Sequence, residues 1–99
     1  MTKYIVNYLY GEKDPNTMTE EQVLAHVDHL KSLDKSAKLF LCGVFTDESG
    51  AVLILNAESY KEAESFILQD PLIKEKFYIF NIKEIIEANN ENNWLLDYE

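Results

Sequence analysis

Two apolar periodicities alternate along this chain, and their order constrains the fold more than any other feature of the sequence. A period of two in β-favouring residues predicts strands, and apolar residues spaced three and four apart predict helices. The predicted order is strand, helix, strand, strand, helix, strand, with strands over residues 4–10, 39–45, 51–56 and 77–82 or beyond. This order predicts an α+β, ferredoxin-like βαββαβ fold, in which a four-stranded antiparallel sheet carries two helices on one face.

Both predicted helices begin at residues that have the spacing of a capping box, which satisfies the free amides of a first helical turn. Thr19 precedes Gln22 by three positions, and Ser59 precedes Glu62 by the same distance. The second helix is expected to end before Asp70-Pro71, because a residue that precedes proline avoids helical backbone angles.

The first three predicted strands carry apolar or aromatic side chains on both alternating sets. In the first strand, Val6 and Tyr8 lie on one side, and Ile5 and Leu9 lie on the other. The two helices cover only one face of the sheet, and a solvated second face would normally be polar. We therefore expect a homodimer, in which a second copy of the chain covers the open sheet face.

The end of the sequence differs in composition from the rest. We expect a ferredoxin-like domain over residues 1–87 and a C-terminal tail over residues 88–99. A polar, asparagine-rich linker at 89–93 precedes the largely apolar segment Trp94–Tyr98. Large apolar side chains favour a docked position over an exposed one. Docking on the chain's own domain and docking on the partner subunit both remain open.

Charge and cysteine content restrict the partners and the location. Eighteen acidic and nine basic residues give a formal charge of −9, which repels phosphate groups and argues against nucleic acid and anionic membranes as partners. No apolar run approaches the roughly 18 residues of a membrane span. The first residues lack a signal-peptide pattern, and the single cysteine, Cys42, fits a reducing compartment, so a cytoplasmic location is expected.

The common cofactor and metal motifs are missing from the sequence. It contains no phosphate-binding glycine loop, no CxxC pair, no HExxH and no GxSxG. We therefore expect neither a cofactor nor a metal.

Two histidines lie three residues apart on the first predicted helix. His26 falls within the apolar arc of that helix, and His29 lies near its edge. A buried imidazole needs a hydrogen-bond partner. A core histidine bonded to a backbone carbonyl is the simplest interpretation of His26, and a metal site built on the HxxH spacing is less favoured.

Asp70 is the second candidate for chemistry, and it has a structural interpretation of its own. An aspartate before proline is a common helix cap, with the proline at the first helical position. Asp70-Pro71 therefore also predicts the start of a short third helix.

The chain combines five short features within roughly residues 1–86: His26, the leucine-bearing helix through Leu33, the Leu39–Gly43 strand, the Ser59–Ala63 helix start and Asp70-Pro71. This combination resembles the YCII-related family of the dimeric α/β barrel group, which also includes muconolactone isomerase-like proteins. In that family a histidine stands 17 residues before the glycine that ends the second strand, as His26 stands before Gly43. The resemblance implies that His26 and Asp70 act together.

The chain departs from the family pattern at two places. The family commonly has Gly-Pro where this sequence has Gly43-Val44, and the hairpin that follows is short. The tail from Ala88 onward has no counterpart in the pattern. These departures leave open a reshaped pocket or a lost one.

A carboxylate bonded to one imidazole nitrogen fixes the tautomer and makes the other nitrogen a better base. The resemblance thus implies a cofactor-independent isomerase or lyase. His26 and Asp70 would be its catalytic pair, and the substrate a small carbonyl-containing or carboxylated molecule. Tyr8, His29 and Gly43 are candidate ligand-binding residues, although strand tyrosines more often belong to a core or an interface.

Two other functions remain open at this stage. One is a non-catalytic dimeric module that binds a small ligand or a protein, in which the histidine and aspartate only hold two helices together. The other, less favoured, is a cofactor-free or haem-related monooxygenase, which rests on the fold alone.

Overall fold

The computed structural model describes residues 1–96 and confirms the ferredoxin-like α+β fold. Its strands are β1 (Thr2–Tyr10), β2 (Leu39–Val44), β3 (Ala51–Ala57) and β4 (Tyr78–Ile85). Its α-helices are α1 (Glu20–Lys35), α2 (Tyr60–Leu68) and the short α3 (Pro71–Lys74). Single 3₁₀ segments occur at Pro15–Thr17 and Asn90–Leu95.

The four strands form one antiparallel sheet in the order β2-β3-β1-β4. β1 is central and pairs with both β3 and β4, so that Tyr8 lies opposite Ala51 on one side and Phe80 on the other. A register shift between Leu39 and Leu41 interrupts the pairing of β2 with β3. Because β1 is an inner strand, its buried side chains lie near the middle of the sheet face that the helices cover.

The core lies between one face of the sheet and the helices. Its strand members alternate along β1 and β3, as period-two patterning requires. Leu33 from α1, together with Ala63 and Ile67 from α2, packs against that same set of strand side chains, so both long helices cover one face. The buried strand residues are Tyr4, Val6, Tyr8, Leu53, Leu55, Ala57 and Ile82.

The helix starts agree only in part with the capping-box pattern. Thr19 and Gln22 bond to each other's backbone amides as a complete box. Ser59 accepts from the amide of Glu62, but the Glu62 side chain accepts from the amide of Glu58 instead of Ser59. The α2 start therefore has the serine cap without the reciprocal bond.

Three strand ends differ by one residue from the sequence prediction, including the end of β3 at Ala57, and β1 begins two residues earlier, at Thr2. β2 ends at Val44, because the amide of Phe45 already bonds to the carbonyl of Gly50 and closes the hairpin turn. β4 begins at Tyr78, because the amide of Phe77 bonds to the carbonyl of Leu72 and completes the α3 turn.

Gly50 fixes how closely this hairpin approaches β1. Its φ is +150°, and a Cβ at this position would lie 2.2 Å from the carbonyl oxygen of Tyr8. Only glycine fits here without displacing the backbone that carries Tyr8.

The second sheet face carries many apolar side chains in the single chain. Leu9 and Ile79 face each other across β1 and β4 and are 43% and 53% exposed. Leu41, opposite Ile54 on the other side of the sheet, is 49% exposed. Polar side chains on this face include Asn7 and Asn81, which are hydrogen-bonded to each other, and Lys3 and Lys83. No helix within residues 1–96 has the length and hydropathy to cross a membrane.

The start of the tail forms the 3₁₀ segment that follows β4, capped by the side chain of Asn89. Trp94 and Leu96 are largely exposed in the single chain. Docking of the tail remains a prediction, and its last three residues, including Asp97 and Tyr98, lie outside the described part of the chain.

Candidate functional site

Asp70 is the only fully buried charged side chain among the described residues. It lies between α2 and α3 and caps α3, because its Oδ1 accepts from the amide of Leu72 at 3.0 Å. Pro71 occupies the first helical position, where its missing amide hydrogen costs nothing. The capping role expected from the sequence is therefore present.

The cap accounts for only one of the bonds that Asp70 makes. Nδ1 of His26 lies 2.9 Å from Oδ1 and 2.8 Å from Oδ2 of Asp70. The hydroxyl of Tyr8 donates to Oδ2 at 2.6 Å. Side chains from α1 and from β1 thus meet on one carboxylate that belongs to neither element.

These bonds determine the ionisation of Asp70. Burial alone raises the pKa of the carboxyl group. The hydrogen bonds from His26, Tyr8 and the Leu72 amide, together with the attraction of His26, outweigh burial and hold this pKa below its ordinary value of 3.8. Asp70 is therefore an anion at neutral pH, which agrees with the rule that a buried charge must be bonded or paired.

His26 is held in one orientation by this carboxylate. A carboxylate only accepts, so Nδ1 of the ring is the donor. In the neutral ring Nε2 then carries the lone pair. The side chain is 18% exposed, and His26 is part of the lining of a cavity. The arrangement therefore leaves Nε2 as the nitrogen free to accept a proton.

Tyr8 has a role that the sequence analysis did not assign to it. Tyr8 is 1% exposed, and its hydroxyl is committed to Asp70. Burial, the charge of Asp70 and the hydrogen bond to it raise the pKa of Tyr8 far above its ordinary value, so the phenol remains a donor. Tyr8 is part of the cavity lining, and its ring lies 6.4 Å from the His26 ring between centroids.

His29 has a different position from the one expected of a ligand-binding residue. Its Nε2 lies 2.7 Å from the backbone carbonyl of Phe66 on α2 and donates to it. His29 is not part of the cavity lining. The carbonyl-bonded core histidine considered for His26 thus describes His29 instead.

The cavity beside His26 has a volume of about 280 Å³ and is partly open to solvent. It lies between α1 and the β2–β3 hairpin, with the Tyr8 and Tyr78 rings on the sheet side. Gly43 lies at its edge, and a Cβ there would meet nothing within 4 Å. Its aliphatic wall includes Val23, Leu30, Leu53 and Leu72.

Tyr78 is a cavity residue that the sequence analysis missed. It begins β4 opposite Tyr10, and its ring lies 5.5 Å from the Tyr8 ring between centroids. Burial, with smaller effects of Tyr10 and Asp70, raises the pKa of its phenol. The sequence signal for this position is the alternation of side chains along β4, which places Tyr78 on the same sheet face as Tyr8.

The described residues offer no alternative centre for metal chemistry. Within residues 1–96, no three histidine, cysteine or carboxylate side chains are grouped as a metal would require.

Comparison with known proteins gives a family and several similar folds. The family model of the YCII-related domain matches residues 5–89. No curated protein matches the sequence significantly.

Two of the similar structures are those of enzymes by name. The first is 5-chloro-2-hydroxyhydroquinone dehydrochlorinase (TftG) from Burkholderia phenoliruptrix AC1100, in complex with 2,5-dihydroxybenzoquinone. It is 22% identical with a TM-score of 0.68, over 90% of this chain and 97% of that one. The second, muconolactone isomerase, is 8% identical with a TM-score of 0.70, over 89% and 92% of the two chains.

The ionisation of Asp70 predicts an acid-dependent loss of stability. A carboxyl group whose pKa is lower in the folded state stabilises the fold above its unfolded pKa, and this contribution disappears as the pH falls. Asp70→Asn should lower the free energy of unfolding by about 3 kcal/mol at neutral pH, since the amide cannot accept from all three donors. Urea denaturation of the two proteins measures this difference.

The same measurement at about pH 6 and about pH 3 tests the ionisation itself. The wild type should lose more unfolding free energy between these pH values than Asp70→Asn does. Asp28→Asn, a change at an exposed position of α1, should behave like the wild type. An equal loss in the wild type and in Asp70→Asn would contradict the assignment of Asp70 as a buried anion.

Proposed function

This chain belongs to the YCII-related domain family, and we propose that it is a cofactor-independent enzyme that moves a proton on a small carbonyl compound. His26 is the catalytic base and acid in this proposal, and Asp70 is the positioning residue that holds it. Such chemistry yields an isomerase when the proton returns to another carbon, and a lyase when a leaving group departs.

The observation that carries the proposal is that one histidine is both bonded to a buried carboxylate and part of a cavity lining. Nδ1 is tied to the buried carboxylate of Asp70, and the ring lines a cavity large enough for a small molecule. A histidine with only a structural role does not need to line a cavity. A base held in this way, next to a bound substrate, contributes roughly 10²–10⁴-fold to a proton transfer.

The steps follow from this geometry. Nε2 accepts a proton from the carbon next to a carbonyl, and the electron pair of that C–H bond moves into the carbonyl to give an enolate. The imidazolium that forms remains bonded to the Asp70 carboxylate, which stabilises its charge. Return of the proton to a second carbon completes an isomerisation, and expulsion of a leaving group by the enolate completes an elimination.

The named activities of the two similar structures support the same reaction classes. One is a dehydrochlorinase and the other an isomerase. At 22% and 8% identity they share the fold with this chain, and fold alone does not determine a reaction. They are therefore examples of a dehydrochlorinase and an isomerase that have this fold.

A non-catalytic binding module is the second candidate, and one observation favours it. The bonds of Asp70 tie α1, β1 and the start of α3 together, which would stabilise the fold without any reaction. In that case the cavity would bind a ligand, and His26 would not exchange protons with it.

Proton–deuterium exchange separates the two candidates. Cyclohexanone, cyclohex-2-enone and a butenolide are incubated with the protein in deuterium oxide, and loss of the signal of the proton next to the carbonyl is followed by NMR. We expect exchange faster than in buffer for at least one compound. His26→Gln should slow it by about 10²-fold or more.

His29→Gln is the matched control for the exchange experiment. It removes an imidazole from the same helix that is bonded to a backbone carbonyl outside the cavity, and it should leave the exchange rate unchanged. Exchange no faster than in buffer for every compound, or equal exchange in the wild type and His26→Gln, would contradict the enzyme proposal.

The proposal includes a homodimer formed through the open sheet face. Half-exposed apolar side chains cover this face from its β2 edge, at Phe40 and Leu41, to Ile79 on β4. Stable interfaces bury about 800 Å² on each partner, and a four-stranded sheet offers a surface of that order. A reducing, cytoplasmic location is part of the same proposal, because Cys42 is exposed and free.

The domain boundary at residue 87 and the docked tail also remain proposals. β4 ends at Ile85, and Trp94 is 59% exposed in the single chain. An indole with that much exposed surface gains more from a partner subunit than from its present contacts. Docking on the partner is therefore the alternative that we prefer.

Light scattering after size exclusion tests the dimer. The wild type should give about twice the chain mass of 11.5 kDa. Leu41→Lys adds two buried charges to a symmetric interface and should shift the protein toward the monomer mass, since unpaired buried charges are costly.

Leu68→Lys is the matched control, because Leu68 on α2 is 50% exposed and Leu41 is 49% exposed. It should leave the mass unchanged. A monomeric wild type, or equal masses for all three proteins, would refute a dimer through this face.

A further inference from the structure

The lining of the cavity beside His26 contains no lysine side chain. All nine basic residues of the chain are lysines, and none of them is part of the cavity lining. The sequence contains no arginine, so a second copy of the chain cannot supply the bidentate clamp with which proteins commonly bind carboxylates and phosphates.

The charge that is present near the cavity is negative. Asp70 is an anion at neutral pH and lies directly behind His26. A protonated His26 would be neutralised by it, and a neutral His26 leaves the pair with a net negative charge. An anionic substrate would therefore lose its hydration without gaining a free cation as a partner.

The size and walls of the cavity fit one ring. A dry cavity of about 150 Å³ holds benzene, and this one has about 280 Å³. Val23, Leu30 and Leu72 supply aliphatic walls. The Tyr8 and Tyr78 rings, 5.5 Å apart between centroids, supply an aromatic wall. The remaining volume allows a few substituents on a single ring.

Tyr78 supplies a polar group that the network around Asp70 does not use. Its hydroxyl makes no hydrogen bond with any of residues 1–96, whereas the Tyr8 hydroxyl is bonded to Asp70 and the Tyr10 hydroxyl to the backbone of Glu48. Burial raises the pKa of the Tyr78 phenol. It therefore remains protonated at neutral pH, and Tyr78, which is part of the lining of this cavity and of a neighbouring one, keeps a hydroxyl that can donate.

We infer that the substrate is an uncharged single-ring compound with a carbonyl or hydroxyl oxygen, and that the Tyr78 hydroxyl binds this oxygen while Nε2 of His26 faces the ring. This inference rests on the proposed function and narrows it. The sequence left a carboxylated substrate open, and the substrate inferred here is neutral instead. Carboxylates and phosphate esters are excluded, because the cavity would desolvate them without compensation.

The test compares two ring compounds that differ in charge and hardly in shape. 4-Hydroxybenzamide is uncharged, and 4-hydroxybenzoate carries a carboxylate at neutral pH. Each is titrated into the ¹⁵N-labelled protein, and chemical shifts of His26 and of cavity residues give the dissociation constants. We expect the amide to bind at least about tenfold more tightly, a difference of about 1.4 kcal/mol.

Tyr78→Phe removes one hydroxyl and retains the ring. It should weaken binding of 4-hydroxybenzamide by about fivefold, which corresponds to the usual net free energy of one hydrogen bond. Tyr60→Phe is the matched control, because Tyr60 lies on α2 outside the cavity lining. It should leave binding of both compounds unchanged.

Three outcomes would overturn the inference. Equal or tighter binding of 4-hydroxybenzoate would refute the neutral substrate. Unchanged affinity in Tyr78→Phe would refute the role of Tyr78. Failure of both compounds to bind with a Kd below about 10 mM would refute the single ring. Failure of the proposed function gives a different pattern: the amide binds and shifts His26, but no carbonyl compound exchanges its protons.

Discussion

One buried carboxylate holds the candidate site together. Asp70 accepts hydrogen bonds from the imidazole of His26, the hydroxyl of Tyr8 and the amide of Leu72. These donors come from a helix, the central strand and the turn that Asp70 itself caps. Burying an anion is costly, and three bonds offset that cost only if all three elements keep their places. The same contacts that complete the packing therefore also aim His26 at the cavity.

The fold was predictable because its signals are local. Alternation marks the strands, and the Thr19–Gln22 box marks the start of α1. The exact ends were not predictable, because backbone bonds formed across turns decide them, as at Phe45 and Phe77. The incomplete capping box at Ser59 has a similar cause: the Glu62 side chain has a competing amide within reach.

The site was predictable only in part. His26 and Asp70 could be proposed as a pair from the family resemblance, but nothing in the spacing of two residues 44 apart requires contact. The third member, Tyr8, was proposed for a ligand, because alternation shows which face a strand side chain is on and not which acceptor its hydroxyl reaches. His29 lies on the same face of α1 as His26, but its Nε2 donates to the backbone carbonyl of Phe66. Such assignments depend on distances between elements, which sequence periodicity does not contain.

Asp70 fixes the tautomer of His26 if the bonds described above hold in solution, and long-range ¹H–¹⁵N NMR of the imidazole measures that tautomer. At a mildly alkaline pH, where imidazole rings are neutral, Nδ1 of His26 should carry the hydrogen and Nε2 should have the shift of an unprotonated nitrogen. His29, which donates through Nε2, should show the opposite tautomer in the same spectrum. A His26 ring protonated at Nε2, or one that averages between the two forms, would contradict the account.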